Sequence, residues 1–346
     1  MGGERDARQA QSGPAEVWVV AACFNEAEGI DHFIDAISGE AGVARLVLVD
    51  DGSSDGTAAI IRRRIAAGDR CPISLIELTR NFGKEAAMLA GLDFASGRCG
   101  AVVLIDADLQ HPPELIGPMI RRWRDGAEMV TAIRDDRDQE SPLRIASASG
   151  FYSVFNRLVD SIQLTDGAGD YRLLSAPVVE ALTRMRESGR FSKGLYPWTG
   201  YRSVDLGYQR PPRPSGQSSW NLRRLWIYAL DGIFSFSLVP LRVWTGLGVL
   251  ISLLSLVYAA VRVVWTLLRG IDVPGYASII VAILFLGGIQ LIGIGILGEY
   301  IGRIYVETKR RPLYFVRTVS GDAPPPRNPA GPEASARYSR ARQGEA

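Results

Sequence analysis

The chain has 346 residues, 47% of them hydrophobic and 22% charged, with a net charge of +2. That length holds one ordinary domain with additions, or two domains, and so balanced a charge gives no reason to expect a nucleic-acid partner. The three cysteines, Cys23, Cys71 and Cys99, lack metal-type spacing and provide no disulfide framework, so buried free thiols in a reducing compartment are expected.

The average conceals a split, because charge is spread over the first two thirds and nearly vanishes between Val243 and Leu297. Residues 1–16 are polar and aperiodic and read as a disordered tail. No apolar run precedes Val17, so no cleavable signal peptide is expected and the following region should stay in the cytosol. Strand-like runs then occupy residues 17–22, 46–49, 73–78, 102–105 and 129–133. Helical stretches separate them at 57–67, after Ser54 or Asp55 as cap, at 84–95, and at 113–124, which opens with a proline. Strands alternating with helices predict a parallel sheet covered on both faces, an α/β fold.

Residues 144–160 read as an amphipathic helix with Ile145, Phe151, Val154, Phe155, Leu158 and Val159 as its stripe. A loop-rich stretch, 188–219, leads into 220–236, where Leu222, Leu225, Trp226, Leu230 and Ile233 recur at helical spacing, with Arg223 and Arg224 off the stripe. That pattern suits a helix lying in a membrane interface. Residues 243–261 and 273–298 are long and uncharged enough to span about 30 Å of hydrocarbon. Their short connection makes them an antiparallel hairpin. Basic residues gather outside its ends, at Arg242 and at Arg303, Lys309, Arg310 and Arg311, which places both termini in the cytoplasm. Gly298 and Gly302 would let helices approach closely, within the hairpin or between protomers of a homo-oligomer. The tail from Thr318 is rich in Pro, Ala, Arg and Gly and should be disordered. The boundaries that follow are 1–16, 17–215 (the α/β domain), 216–240 (interfacial), 241–300 (hairpin), 301–317 (juxtamembrane) and 318–346.

Polar clusters follow each of the five strands: Asn25-Glu26, Asp50-Asp51, Arg80-Asn81 with Gly83-Lys84, Asp106-Ala-Asp108, and Arg134. Parallel strands would bring all five to one sheet edge, where open α/β sheets bind ligands. Asp106 and Asp108 repel each other unless a cation joins them, and their hard oxygens favour Mg²⁺ or Mn²⁺ on a diphosphate. Neither Gly-x-Gly-x-x-Gly nor a P-loop motif is present, which argues against a dinucleotide or P-loop site.

The motifs Ala22-Cys-Phe-Asn-Glu26, Val49-Asp-Asp-Gly-Ser-Ser-Asp55, Arg80-Asn-Phe-Gly-Lys84, Asp106-Ala-Asp-Leu-Gln110 with Pro112-Pro-Glu114, and Gly169-Asp-Tyr-Arg-Leu173 resemble those of family 2 glycosyltransferases. More narrowly, they resemble the polyprenyl-phosphate glycosyltransferases, the dolichol-phosphate mannose synthase and bactoprenol glucosyltransferase group. Arg190-Phe-Ser-Lys-Gly194 and Gly298-Glu-Tyr-Ile-Gly-Arg-Ile-Tyr305 extend the likeness through the hairpin.

The resemblance implies a GT-A fold, a nucleotide-sugar donor, a divalent metal and inverting transfer to a membrane polyprenyl phosphate. It implies that Glu26, Asp50, Asp51, Lys84 and Asp106 bind the nucleotide sugar. Asp106, Asp108 and Gln110 would hold the metal, and Asp170 would serve as base or orienting carboxylate. Arg134, Arg144, Lys193 and Arg213 would bind the acceptor phosphate. The Arg80–Lys84 motif favours glucose from UDP-glucose, with mannose or a modified sugar as the alternative. A processive synthase would need a Gln-x-x-Arg-Trp motif that this chain lacks, and a catalytically silent scaffold would not need Asp106, Asp108 and Asp170.

Three positions depart from the family pattern. Ala22 replaces a usual proline. His111 stands where Asp or Asn is frequent, as a neighbour of the metal site or as a ligand. Gly216-Gln-Ser-Ser219 lacks the lysine of Gly-x-Ser-Lys, which puts the phosphate-binding role of that loop in question.

Overall fold

The computed structural model describes residues 16–134, 155–157, 159, 162–163, 165, 167–208, 237, 239–269 and 275–321. The expected N-terminal tail, most of the expected helix at 144–160, the expected interfacial helix at 220–236, Arg144, Arg213 and the connection within the hairpin lie outside these residues.

Eight strands form one sheet: β1 (Val17–Cys23), β2 (Val43–Asp50), β3 (Ile73–Leu78), β4 (Ala101–Leu104), β5 (Met129–Arg134), β6 (Ala168–Ser175), β7 (Ser203–Tyr208) and β8 (Val316–Ser320). Their order is β7-β5-β6-β4-β1-β2-β3-β8. The five expected strands are present and share one direction. β1 pairs in parallel with β2 and β4, and β2 with β3. β5 reaches the sheet through β6, which is antiparallel to both β4 and β5. The sheet is therefore mixed rather than all-parallel. β6 begins at the edge where β4 and β5 end, and this delivers Asp170 to that edge.

Alternation along β1 divides the core. Val17, Val19 and Ala21 pack with Ile30, Phe33, Ile34 and Ile37 of α1 (Ile30–Ser38), with Ile61 of α2 (Thr57–Ala67), and with Ile116, Met119 and Ile120 of α4 (Ile116–Arg124). Trp18 and Val20 face α3 (Lys84–Ala95), α5 (Ala176–Arg184) and α6 (Ser192–Trp198), through Met88, Phe94, Val178, Leu182 and Leu195. Gly91 of α3 lies directly on Val20, where a Cβ would collide. The expected helix at 113–124 is divided, since Pro113–Leu115 form a 3₁₀ turn before α4 begins. The cap of α2 is Gly56, at φ +96°, rather than Ser54 or Asp55. Asp55 still accepts the Thr57 N–H at 3.0 Å.

Two long helices follow, α7 (Val239–Arg269, 31 residues) and α8 (Tyr276–Thr308, 33 residues). At 1.5 Å per residue each exceeds about 45 Å, more than the ~30 Å hydrocarbon core. Both are long and apolar enough to cross a membrane, and Leu253, Leu256, Ile283 and Ile294 are exposed on them. They meet where the Trp244 ring lies on Gly293, leaving no room for a Cβ. No described atom lies within 4 Å of a Cβ built at Gly298 or Gly302, so this glycine pair forms no close contact within the described hairpin.

Beyond α8 the chain returns to the sheet and adds β8 antiparallel to β3. This corrects the expectation of disorder from Thr318: Thr318, Val319 and Ser320 belong to a strand. As a five-residue edge strand with no fully buried residue, it shows no hydrophobic alternation in the sequence.

Candidate active site

Three loops at the carboxyl edge of the sheet are tied to one another. Asn25, at φ +56°, accepts the Ser54 N–H at 2.9 Å and donates its own N–H to Ser53 Oγ at 2.9 Å. Glu26 donates its N–H to Thr57 Oγ1 at 2.9 Å. Gly52, at φ +75°, passes so close to the third loop that a Cβ would stand 2.6 Å from the Arg80 carbonyl carbon, which only glycine permits. Asp51 accepts the N–H groups of Phe82 and Gly83 at 2.7 and 2.8 Å. It fixes the loop that leads to Lys84.

Asp50 is 3% exposed. Its Oδ2 accepts the Ser53 N–H at 3.2 Å, while its Oδ1 is buried and meets no donor. Burial pushes this carboxyl above the usual range, against the Ser53 hydrogen bonds. A buried acceptor without a partner is costly. Glu26 is likewise raised, by burial first and then by Asp108, Asp55 and Asp106.

The register explains the centre of the site. Leu104 of β4 lies opposite Arg172 of β6. Because the pair is antiparallel, two residues on from Leu104 and two back from Arg172 bring Asp106 to face Asp170. The two carboxylates would repel, and Lys84, the first residue of α3, stands between them. Its ammonium is 2.7 Å from Asp106 Oδ1 and 2.9 Å from Asp170 Oδ2. Burial disfavours the lysine charge, but Asp170 and Asp106 outweigh it and hold the ammonium well above the ordinary lysine range. Burial likewise pushes Asp170 up, but Lys84, Lys193 and Arg172 overcome this and hold it below the usual carboxylate range. Asp170 Oδ1 is buried and without a hydrogen bond. Beside it, Glu85 accepts the Ser192 hydroxyl.

Asp108 is exposed, in a strained turn in which Leu109 has φ +53°. Its Oδ1 accepts the Gln110 N–H at 3.0 Å. Among the described residues, no group of three or more His, Cys, Asp and Glu side chains is placed to hold a metal by itself. Asp106 and Asp108 nevertheless offer hard oxygens at the mouth of the site. Such a pair suits a cation that takes its remaining ligands from phosphate.

The remaining expected residues are spread around this centre. Arg134 ends β5, half-buried and in register with Tyr208 of β7. Lys193, on α6, lines a cavity of about 350 Å³ together with Arg172, Thr131, Tyr201 and Asp205. Arg172 is buried, stacks over the Tyr196 ring at 4.3 Å and donates to the Gly169 carbonyl at 2.9 Å. The sequence motifs place Lys84 at the nucleotide, but its bridge between Asp106 and Asp170 arises only in the fold. The motifs also pass over Tyr208, whose phenol lies 2.7 Å from His111 Nδ1. No local signal marks Tyr208, because the contact depends on β7 pairing with β5.

Residues 18–183 match the family model described as Glycosyl transferase family 2, and residues 239–304 match one described as GtrB C-terminal hairpin. An uncharacterized glycosyltransferase of Synechocystis sp., sll0501, is 44% identical over 310 residues, covering 88% of this chain and 96% of that protein. The bactoprenol glucosyl transferase of Shigella phage SfV is 43% identical over 306 residues, with 87% and 98% covered. A prophage bactoprenol glucosyl transferase homolog of Escherichia coli K12 is 41% identical over 308 residues, with 88% and 99% covered.

Proposed function

From the premise that this chain belongs to glycosyltransferase family 2, in the polyprenyl-phosphate group, we propose that it transfers glucose from UDP-glucose to a polyprenyl phosphate. The transfer takes place at the cytoplasmic face of the membrane and inverts the anomeric carbon. The observation that carries this reading is the Asp106–Lys84–Asp170 bridge at the sheet edge. The similar proteins named bactoprenol glucosyl transferase support the lipid class and the sugar.

In this reading Asp50, Asp51 and Glu26 line the nucleotide end, and the unpaired Asp50 Oδ1 receives a donor from the base or ribose. Asp106 and Asp108, with Gln110, would hold Mg²⁺ or Mn²⁺, which when bound offsets charge growing on the leaving diphosphate. Lys84 adds a second, permanent positive charge at the same place. The acceptor phosphate has a second pKa near ~6 and is largely a dianion at neutral pH. One of its oxygens attacks the sugar's anomeric carbon. The bond from that carbon to the diphosphate breaks, its electron pair leaves with UDP, and no proton need move. Asp170, held ionised by Lys84, therefore acts as an orienting group rather than a base. Arg134, Lys193, Arg144 and Arg213 are proposed to receive the acceptor phosphate. The segment 216–240 and the hairpin bring the site to the lipid, with both termini in the cytoplasm.

The test is a donor screen against undecaprenyl phosphate in detergent, with and without Mn²⁺. We expect UDP-glucose to be used, and Asp106→Ala or Asp108→Ala to abolish transfer. Preferred use of a mannose or modified-sugar donor would move the assignment to that sugar. No transfer from any donor would overturn the reading.

A further inference from the structure

The mouth of the site is linked to the far edge of the sheet through one side chain. His111 lies three residues beyond Asp108, and its Nε2 stands 3.8 Å from Asp106 Oδ2, inside ion-pair reach but longer than a hydrogen bond. Its Nδ1 is 2.7 Å from the Tyr208 hydroxyl. The ring packs against Tyr171 and Tyr208, with centroids 5.2 and 5.9 Å away. Tyr171 in turn donates its hydroxyl to the Pro112 carbonyl at 2.9 Å, pinning the residue that follows His111. Three strands thus hold the imidazole: β4 through its loop, β6 through Tyr171, and β7 through Tyr208.

The chemistry fixes a direction. A carboxylate can only accept, so attraction between Nε2 and Asp106 requires the proton on Nε2. In the neutral ring Nδ1 is then an acceptor, and the Tyr208 O–H donates to it. A hydrogen bond on one ring nitrogen sets the tautomer and the orientation of the other.

We propose that His111 is a positioning residue: it orients Asp106 for the donor's diphosphate and cation, and Tyr208 sets its tautomer. The proposal rests on the reading of Asp106 as a cation ligand. It has a consequence for coupling. Tyr208 is the last residue of β7, and residues 209–219, which include Arg213, follow directly. The segment proposed to receive the acceptor is covalently joined to the residue that sets the tautomer of His111.

Two amides separate the roles of the two nitrogens. Glutamine places an N–H near the position of Nε2, whereas asparagine reaches only that of Nδ1. In the full-length protein in detergent, UDP binding is measured by calorimetry across a Mn²⁺ series, with melting temperatures recorded in parallel without the cation. We expect His111→Asn to weaken Mn²⁺-dependent UDP binding by about 10- to 100-fold, the usual cost of losing a metal ligand's supporting partner. His111→Gln should recover most of that loss, and Tyr208→Phe should fall between the two, all at similar melting temperatures. If His111→Asn binds like the wild type, or His111→Gln is no better than His111→Asn, the proposal falls while the metal reading stands. If wild-type UDP binding does not respond to Mn²⁺, the metal reading fails and takes the proposal with it.

Discussion

Asp170 is the residue whose role the geometry narrows most. A general base should carry a pKa close to the working pH. Asp170 is displaced the other way, because Lys84, Lys193 and Arg172 outweigh its burial. A carboxyl held below its unfolded value contributes stability that is complete above that value and is lost only as the pH falls through the folded pKa, in strong acid. Its charge is therefore constant across the neutral range. We expect kcat to decline on the acid side near the second ionisation of the acceptor phosphate, at about pH 6. Asp170→Asn should lower kcat by about 100-fold, as removal of one preorganised electrostatic group does, without changing the shape of the pH–rate profile. Loss of the acid limb in that variant would instead identify Asp170 as the base.

At the scale of elements, the strand after the hairpin matters more than its length suggests. Before β8 begins, Tyr314 donates its hydroxyl to Asp93, which also holds Arg186 through two bonds of 2.6 and 2.7 Å. Phe315 accepts the Thr79 N–H at 2.9 Å, and its ring lies 6.2 Å from that of Phe82. Phe82 belongs to the loop whose N–H groups Asp51 holds. Within β8, Thr318 donates to Glu77 at 2.9 Å, and Arg62 pairs with the same carboxylate at 2.6 Å. A chain ending after Gly321 should keep wild-type melting and donor KM. One ending after Arg311 strips Glu77 of a partner and Phe82 of its cover. Leaving such a buried group short of a partner costs about 1–3 kcal/mol, so we expect a melting temperature several degrees lower and a raised donor KM. Equal behaviour of the two truncations would show that β8 is dispensable to the site.

At the scale of the molecule, the catalytic sheet is interrupted by the hairpin, since seven strands precede α7 and α8 and the eighth follows them. The domain is completed only by chain that has passed through both apolar helices, so a fragment ending before α7 also lacks β8. The exposed leucines and isoleucines of those helices favour lipid over water, at about 25 cal/mol per Å² of apolar surface. We expect the full chain to remain with membranes through an alkaline carbonate wash, and release into the soluble fraction would refute a spanning hairpin. Much of this was readable from the sequence because the signals are local. An apolar run gives a strand, two acids at its end suggest a cation, and a long uncharged stretch suggests a membrane helix. Of the unpredicted strands, β7 and β8 are short and carry polar residues, and β6 is interrupted by Asp170 and Arg172, so none shows a clean hydrophobic period. Distant pairing decided the rest. The facing of Asp106 and Asp170 depends on the β4–β6 register, the Tyr208–His111 bond on β7 lying beside β5, and the ordering of Thr318–Ser320 on β3 offering a free edge. Local composition fixed which residue types stood ready for chemistry, and only the folding together of segments some 60 to 240 positions apart decided which of them meet, because hydrogen bonds and ion pairs act over a few ångströms.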